Sequence, residues 1–136
     1  MKKQTTDKIW QTNERQIVVC DGDKKNIMDR RNIVKISAEH IYSIVESKVK
    51  DCKNDKAVIH NEMVRVSLNK WQDILNDSVF FRIGRSTIVN FKFVIDITDK
   101  ILLDTGEILN IPVRNRTRVK RAYREYCKEK GIGMAT

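Results

Sequence analysis

Arginine and lysine side chains crowd the end of the sequence, where their spacing suits them to bind phosphate groups. Between residues 114 and 130, eight basic residues are opposed by two glutamates, so this stretch holds six of the nine net positive charges. The basic residues are Arg114, Arg116, Arg118, Lys120, Arg121, Arg124, Lys128 and Lys130. Guanidinium and ammonium groups pair with phosphate oxygens, and a helix beginning near Arg114 would add backbone N–H donors. A solvated basic helix face would carry the same charge without a ligand, and both interpretations stay open.

A second basic group is the segment 82–86, Arg-Ile-Gly-Arg-Ser. In a strand and its exit turn, Arg82 and Arg85 cannot both be in the core. Arginine can pair bidentately with guanine or phosphate, and the Ser86 hydroxyl can donate to phosphate. The structural alternative is that Arg82 pairs with a strand neighbour and that Gly84 only permits the turn.

Three further lysines, Lys48, Lys50 and Lys53, lie in a polar connection over residues 47–56. Three lysines in a loop say little by themselves. The whole chain, however, has 27 Lys and Arg against 18 Asp and Glu, a net charge of +9. Such a balance in a small domain favours a polyanionic partner, nucleic acid first. A merely soluble basic surface is the alternative.

Candidate catalytic and metal-binding residues are few. His40 falls in a predicted turn and His60 in a strand pattern, and neither has an evident catalytic partner. The sequence contains no HExxH, GxSxG or P-loop motif, so we predict no enzyme, no metal and no cofactor. The three cysteines, Cys20, Cys52 and Cys127, are odd in number and scattered, which indicates reduced thiols in a cytosol. Cys52 lies in a polar loop near lysines, so a redox-sensing role stays open.

The composition indicates a sheet rather than a helical bundle. The chain has 17 Ile and 13 Val but only 5 Leu, and β-branched side chains fit a pleated sheet. A length of 136 residues fits one domain. No apolar run is long enough to cross a membrane, and the basic start lacks the apolar stretch of a secretory signal. We therefore predict a mostly β protein of the cytoplasm with no membrane insertion.

Apolar patterning places the strands that would carry these loops. Residues 1–15 are polar and expected to fray, a short strand follows at 16–20, and 21–26 has the chemistry of a hairpin turn in which Gly22 can take a positive φ. Strands are also predicted near 32–36 and 41–46. The alternation on either side of Asn61 and Glu62 predicts a two-residue hairpin there. More strands are expected at 79–83, 87–89, 91–97, 100–103 and 107–109.

Two helices are predicted. Ser67 is placed to cap the first, in which Leu68, Trp71 and Leu75 share one apolar face. The second runs from about 115 to 130 and buries Val119, Ala122, Tyr123, Tyr126 and Cys127 at helical spacing. Gly131 is placed to end it. Between the helices, Asp104-Thr105-Gly106 supplies a glycine hairpin turn. The fold class is thus small packed antiparallel sheets with one internal helix and a basic amphipathic C-terminal helix.

Residues 80–90, Phe-Phe-Arg-Ile-Gly-Arg-Ser-Thr-Ile-Val-Asn, resemble the signature of LytTR-type DNA-binding domains of bacterial transcription regulators. The neighbouring segments agree in order. Residues 41–47 look like the family's apolar strand ending in Glu-Ser, and 104–113 resemble its last hairpin and Ile-Pro-Val exit. The likeness covers about residues 32–128. Gly84 stands where the family usually has histidine, and Arg114-Asn115 where serine-arginine is common.

The resemblance implies a mostly β fold that reads double-stranded DNA through loops rather than a recognition helix. Carried over onto this sequence, the family's contacts fall at Lys48, Lys50, Lys53, Arg85, Ser86, Arg114, Asn115 and Arg116. These are the three basic places that the charge distribution also indicates. Arg82 is added as a DNA contact, Lys120 as a phosphate contact, and Arg85, Arg114 and Asn115 as the main base readers. Asn90 is expected to be structural, with its side chain holding the next turn.

The resemblance also implies how the chain is organised. It gives an N-terminal extension over 1–31 with one short strand, a DNA-binding domain over 32–130 and a tail over 131–136. Most relatives carry a phosphoacceptor receiver domain upstream, and the residues before the matched region, about 31 in number, are too few for another domain. The chain therefore looks like a stand-alone regulator or an excised DNA-binding half. The family usually binds paired direct repeats as two copies, which makes a homodimer on DNA the expected assembly. An RNA-binding β domain, or a protein-interaction module held by a membrane partner through residues 1–15, stays open.

Overall fold

The computed structural model describes residues 7–21 and 23–131, in two compact units that divide between Leu75 and Asn76. The predicted role of Gly22 and nearly all of the predicted tail lie outside the described residues. Each unit is described by itself. The two contain eleven strands and two α-helices among the described residues, so the predicted mostly β class is confirmed.

The first unit begins with a three-stranded antiparallel sheet in the order β1-β2-β3. Its strands are β1 (Asp7–Gln11), β2 (Gln16–Asp21) and β3 (Lys24–Asp29). The expected fraying is therefore wrong for residues 7–15, and the extension holds three strands rather than one. The Asn13 carboxamide oxygen accepts from the backbone N–H groups of Arg15 and Gln16, both at 2.9 Å, and this polar turn lets β1 pair with β2. The side chains of Ile17 and Val19 are fully buried.

A longer antiparallel set follows, in which β5 lies between β4 and β6. The strands are β4 (Ile33–Glu39), β5 (Tyr42–Lys50) and β6 (Ala57–Val64). The predicted hairpin at Asn61 and Glu62 is wrong, because both residues continue β6 and pair with Glu46 and Val45. The turn instead lies at 51–56, where Asp55 has a φ of 60°. Aspartate tolerates this left-handed conformation, whereas glutamate in a two-residue turn does not favour it.

Helix α1 (Leu68–Ile74) ends the first unit. The predicted cap is confirmed, because the Ser67 hydroxyl accepts from the Lys70 backbone N–H at 3.2 Å. Leu68, Trp71 and Leu75 are buried, as their spacing predicts. The Trp71 indole N–H donates to the Ser43 hydroxyl at 2.8 Å, so the one polar atom of this large side chain has a buried partner.

The second unit contains a hairpin, a three-stranded antiparallel meander and a long helix. The elements are β7 (Phe80–Arg82), β8 (Thr87–Asn90), β9 (Val94–Ile97), β10 (Lys100–Leu103), β11 (Ile108–Asn110) and α2 (Arg116–Glu129). Strand β7 pairs with β8, and β10 lies between β9 and β11. Gly106 closes the last hairpin at a φ of 95°, as the sequence predicts.

The predicted strand over 91–97 is only half present, since residues 91–93 form a 3-10 turn. The cause is Asn90, whose buried carboxamide oxygen accepts from the Lys92 backbone N–H at 2.9 Å. The structural role expected for Asn90 is thereby confirmed. The turn directs the fully buried Phe91 ring towards Tyr123 and Tyr126, at centroid distances of 5.3 and 5.6 Å.

Helix α2 buries the apolar face that the spacing of its apolar residues predicts. Val119, Tyr123, Tyr126 and Cys127 are buried, and Ala122 is half-buried. The Tyr123 hydroxyl donates to the Val94 carbonyl oxygen at 3.2 Å, and burial raises the pKa of Tyr123 to about 12. Gly131 ends the helix with a φ of 68°, as predicted. The basic side chains of α2 are consequently left on its outer face.

Candidate nucleic-acid interface

The loop between β7 and β8 is stabilised by Arg82, the last residue of β7, whose side chain donates hydrogen bonds to the loop backbone. The Arg82 guanidinium donates through Nε to the Gly84 carbonyl at 3.2 Å and through a terminal nitrogen to the Arg85 carbonyl at 2.8 Å. The side chain is half-buried. A planar guanidinium that spans two successive carbonyls fixes the loop's curvature. These contacts favour a supporting role for Arg82 over the direct DNA contact that the sequence suggested.

Asn115, just before α2, and Arg118, in the first turn of α2, hold the same loop. The Asn115 side-chain amide donates to the Ile83 carbonyl at 3.0 Å, and the Arg118 guanidinium donates to the Arg82 carbonyl at 3.4 Å. The Arg118 guanidinium also lies over the Phe81 ring, 4.9 Å from its centroid. The carbonyls of residues 82 to 85 therefore all accept hydrogen bonds from side chains. We call these four residues, with Ser86, the loop 82–86.

The loop presents the side chains that could reach a ligand. Arg85 and Ser86 are exposed, and so is Arg114, in a 3-10 turn over Val113–Asn115 just before α2. Asn115 ties that turn to the loop, so all three belong to one supported surface. Gly84 lies close to the Pro112 ring, so that a Cβ placed on Gly84 would be only 3.2 Å from the Pro112 Cγ. A histidine at this position, which the resemblance leads us to expect, would therefore require Pro112 to shift.

The outer face of α2 continues this surface. At 100° per residue, Arg118, Arg121, Arg124 and Lys128 fall in one exposed stripe opposite the buried face. The first turn of α2 carries no acidic residue, and Asn115 makes no capping hydrogen bond. The N-terminal backbone donors and their dipole therefore add positive potential beside Arg114.

Arg116 and Lys120 face a carboxylate instead. The Asp99 carboxylate oxygens lie 3.9 Å from an Arg116 terminal nitrogen and 4.0 Å from the Lys120 Nζ. Arg116 also donates through Nε to the Ile111 carbonyl at 3.3 Å. Asp99 is largely exposed, so both ion pairs are weak and solvent-screened. The two cations that the sequence assigned to DNA are thus already partly neutralised.

The three lysines lie in the first unit, at the end of the β5–β6 hairpin. Lys48 is half-buried within β5, and Lys53 is exposed in the turn. The Lys50 Nζ lies 2.9 Å from an Asp55 carboxylate oxygen, with both side chains strongly exposed. The Asp51 carboxylate accepts from the Lys53 backbone N–H at 3.0 Å, which shapes the turn. The lysines are therefore accessible, with aspartates close by.

The structure thus brings together the predicted residues of the second unit but gives them different surroundings. Arg85, Ser86 and Arg114 are exposed, whereas Arg82 and Asn115 are used within the protein. The sequence prediction omitted Arg118 from the candidate site. Its place within the basic run was visible, but its bond to a residue 36 positions earlier in the chain was not.

Among the described residues, no group of three or more His, Cys, Asp or Glu side chains could hold a metal ion, and neither α-helix could cross a membrane. Cys52 is exposed and Cys127 is buried. Phe80, Phe91 and Phe93 are buried, and Phe81 lies half-buried beneath the Arg118 guanidinium.

Small antiparallel sheets, an internal capped helix and a basic helix beside a supported arginine loop are the features that the resemblance to DNA-binding domains implies. The sequence profile described as LytTr DNA-binding domain matches residues 31–124. The chain belongs to this family. A LytTr DNA-binding domain from Bacillus cereus, from a protein described as a methyl-accepting/DNA response regulator, has a similar solved structure. The match has a TM-score of 0.59 and 16% identity, and it covers 81% of this chain and 97% of that one. Curated proteins give no match.

Proposed function

We propose that this chain is a sequence-specific, double-stranded DNA-binding transcription regulator of the cytoplasm. Residues 32–130 form its DNA-binding domain. The observation that carries the proposal is the loop 82–86, whose four carbonyls are held by Arg82, Asn115 and Arg118 while Arg85 and Ser86 remain exposed. A loop that is ordered before binding loses little conformational entropy when it meets a groove.

The proposal divides the basic residues by role. Arg85 and Arg114 read base edges, because both are exposed and an arginine can donate two hydrogen bonds to guanine. Phosphate is bound by Ser86, by the lysines of the β5–β6 hairpin and by Arg121, Arg124 and Lys128 of the exposed stripe of α2. Arg116 and Lys120 join them once they leave Asp99. Arg82, Asn115 and Arg118 support the loop. Phosphate contacts then supply most of the affinity and make it fall steeply with salt.

Two copies of the chain are proposed to occupy paired direct repeats in promoters. Selection of bound duplexes from a random pool tests this directly, with a random RNA pool run in parallel. A paired motif with both halves in the same orientation is the expected result. Enrichment of no duplex, or of RNA alone, contradicts the proposed function.

Arg85→Ala tests the reading role within the same system. Loss of about 1–3 kcal/mol for the selected duplex, with binding to a random duplex largely kept, is expected for a base contact. Arg65→Ala, which removes an exposed arginine between β6 and α1, is the matched control. An unchanged preference for the selected duplex after Arg85→Ala would show that Arg85 does not read the sequence.

A further inference from the structure

Strand β6 is an outer strand with unusual exposure. It runs for eight residues, and among the described residues its only strand neighbour is β5. Val58, Ile59 and Met63 are 44%, 45% and 55% exposed, and they project from both faces of the strand. Proteins normally protect such an edge with lysine, proline or a bulge. Between Ala57 and Val64 there is no lysine or proline, and the pairing with β5 has no register shift.

We propose that β6 is a self-association surface, on which a second copy of this chain adds its own β6 antiparallel and extends the sheet across a two-fold axis. No strand of the described ranges pairs with the outer edge of β6, where alternate residues direct their backbone N–H and C=O groups outward, and an antiparallel strand would satisfy these groups. The proposal stands apart from the proposed function, since it concerns the protein without DNA.

The sequence of β6 identifies the occupant as a second copy through its self-complementarity. A two-fold axis normal to the sheet leaves each side chain on the face of the sheet that it occupies in one copy. Residues that lie opposite one another must share a face, so their numbers must both be odd or both be even. If the two-fold axis passes between the two copies of Asn61, Ile59 lies opposite the second copy's Met63. The same axis places His60 opposite Glu62 and Val58 opposite Val64.

Other centres are poorer. A pair centred on His60 places the apolar Val58 opposite the second copy's Glu62 and His60 opposite itself. Centring on Asn61 instead matches apolar with apolar, and an imidazole with a carboxylate, twice each by symmetry. Opposed pairs of these kinds stabilise antiparallel sheets. Within one chain His60 Nε2 already lies 3.9 Å from a Glu62 carboxylate oxygen, so both side chains are on the face that the pairing requires.

The oligomeric state of the full chain is the first test, measured by sedimentation velocity over a wide range of concentration without DNA. A concentration-dependent dimer is expected. Ile59→Lys should abolish it, because the lysine would face Met63 of the second copy. Ile27→Lys is the matched control, since Ile27 is 61% exposed on β3, another outer strand. A wild-type monomer at every concentration, or a dimer that survives Ile59→Lys, overturns the proposal.

The register has its own tests. His60→Glu would place like charges opposite one another and weaken the dimer, and adding Glu62→Lys should restore it. In a chain carrying Cys20→Ser and Cys52→Ser, Asn61→Cys should give a disulfide-linked dimer on mild oxidation. Glu62→Cys should not, since its counterpart would lie diagonally across the pair, two residues along the second strand and about 8 Å away, beyond the reach of a disulfide. Equal cross-linking by both variants overturns the Asn61-centred register.

Discussion

The side-chain amide of Asn115 donates to the carbonyl oxygen of Ile83 at 3.0 Å, joining the entrance of α2 to the loop between β7 and β8. The two residues are 32 positions apart in the sequence. Ile83 is itself buried, so its carbonyl has little access to water. This bond makes the loop and the α2 entrance one surface.

Asn115→Ala should destabilise the protein by about 1–3 kcal/mol, since it leaves the Ile83 carbonyl without its donor. Specific DNA affinity should also fall, because the loop and Arg114 lose their common support. Thermal unfolding and a DNA titration measure the two effects. Asn110→Ala, at an exposed position ending β11, is the control and should change neither. Unaltered stability after Asn115→Ala would mean that the bond is not formed in solution.

Arg82 should behave as a supporting residue rather than as a charge. Arg82→Lys keeps the charge but cannot span the carbonyls of Gly84 and Arg85, so it should weaken specific binding nearly as much as Arg82→Ala. Because no phosphate contact is lost, the slope of log affinity against log salt should stay unchanged.

Arg121 provides the comparison, as a residue of the exposed α2 stripe. Arg121→Ala should reduce the salt slope by about one unit, whereas Arg121→Lys should keep it. Titrations at several salt concentrations, on the same duplex, measure all four variants. If Arg82→Lys binds like wild type, charge rather than loop geometry explains the role of Arg82.

Asp99→Asn should tighten DNA binding severalfold. The change frees Arg116 and Lys120 from the carboxylate that lies within 4.0 Å of each. Stability should change by less than about 1 kcal/mol, since the ion pairs are exposed. Asp73→Asn, which neutralises an exposed carboxylate on α1, is the control. An equal gain from both variants would point to net charge alone.

The Tyr123 hydroxyl should make unfolding sensitive to alkali. Its ordinary pKa is 10, and burial raises the folded value to about 12. The folded state therefore favours the protonated phenol, whose contribution to stability is complete below pH 10 and is lost as pH rises through about 12.

Tyr123→Phe should remove part of this alkaline loss while lowering stability at neutral pH by about 1 kcal/mol, through the hydrogen bond to Val94. Thermal melts from neutral pH upwards compare the variants. Tyr42→Phe alters an exposed tyrosine and serves as the control. The burial of Tyr126 also raises its pKa, so some alkaline sensitivity should persist. An identical alkaline profile for wild type and Tyr123→Phe would contradict this role of Tyr123.

Local signals predicted much of the fold. Ser67, Gly106 and Gly131 act where the sequence placed them, because a cap or a left-handed residue needs only its near neighbours. The hairpin at Asn61 and Glu62 failed because period-two alternation is the same in one long strand as in two short ones. The strand at β1 was missed because its polar residues gain order from pairing with β2, which composition does not reveal.

The candidate site was predictable as a set of charges but not as an arrangement. Arg82 and Arg85 are alike in sequence, yet one bonds to the loop's carbonyls while the other is exposed. Two further side chains, Asn115 just before α2 and Arg118 within it, also bond to the loop from more than thirty residues later in the chain. Hydrogen bonds over such separations depend on the packing of the unit and leave no periodic pattern.

The carbonyls of residues 82 to 85 accept hydrogen bonds from side chains of the protein, and this limits the groups that the loop can offer to a partner. With its acceptors engaged by Arg82, Asn115 and Arg118, the loop faces a partner chiefly as a donor, through the Arg85 guanidinium and the Ser86 hydroxyl. In the major groove guanine presents two acceptors, whereas cytosine presents an amino donor that would need an acceptor to meet it. The nucleotide beneath this loop should therefore be a guanine, on whichever strand faces Arg85.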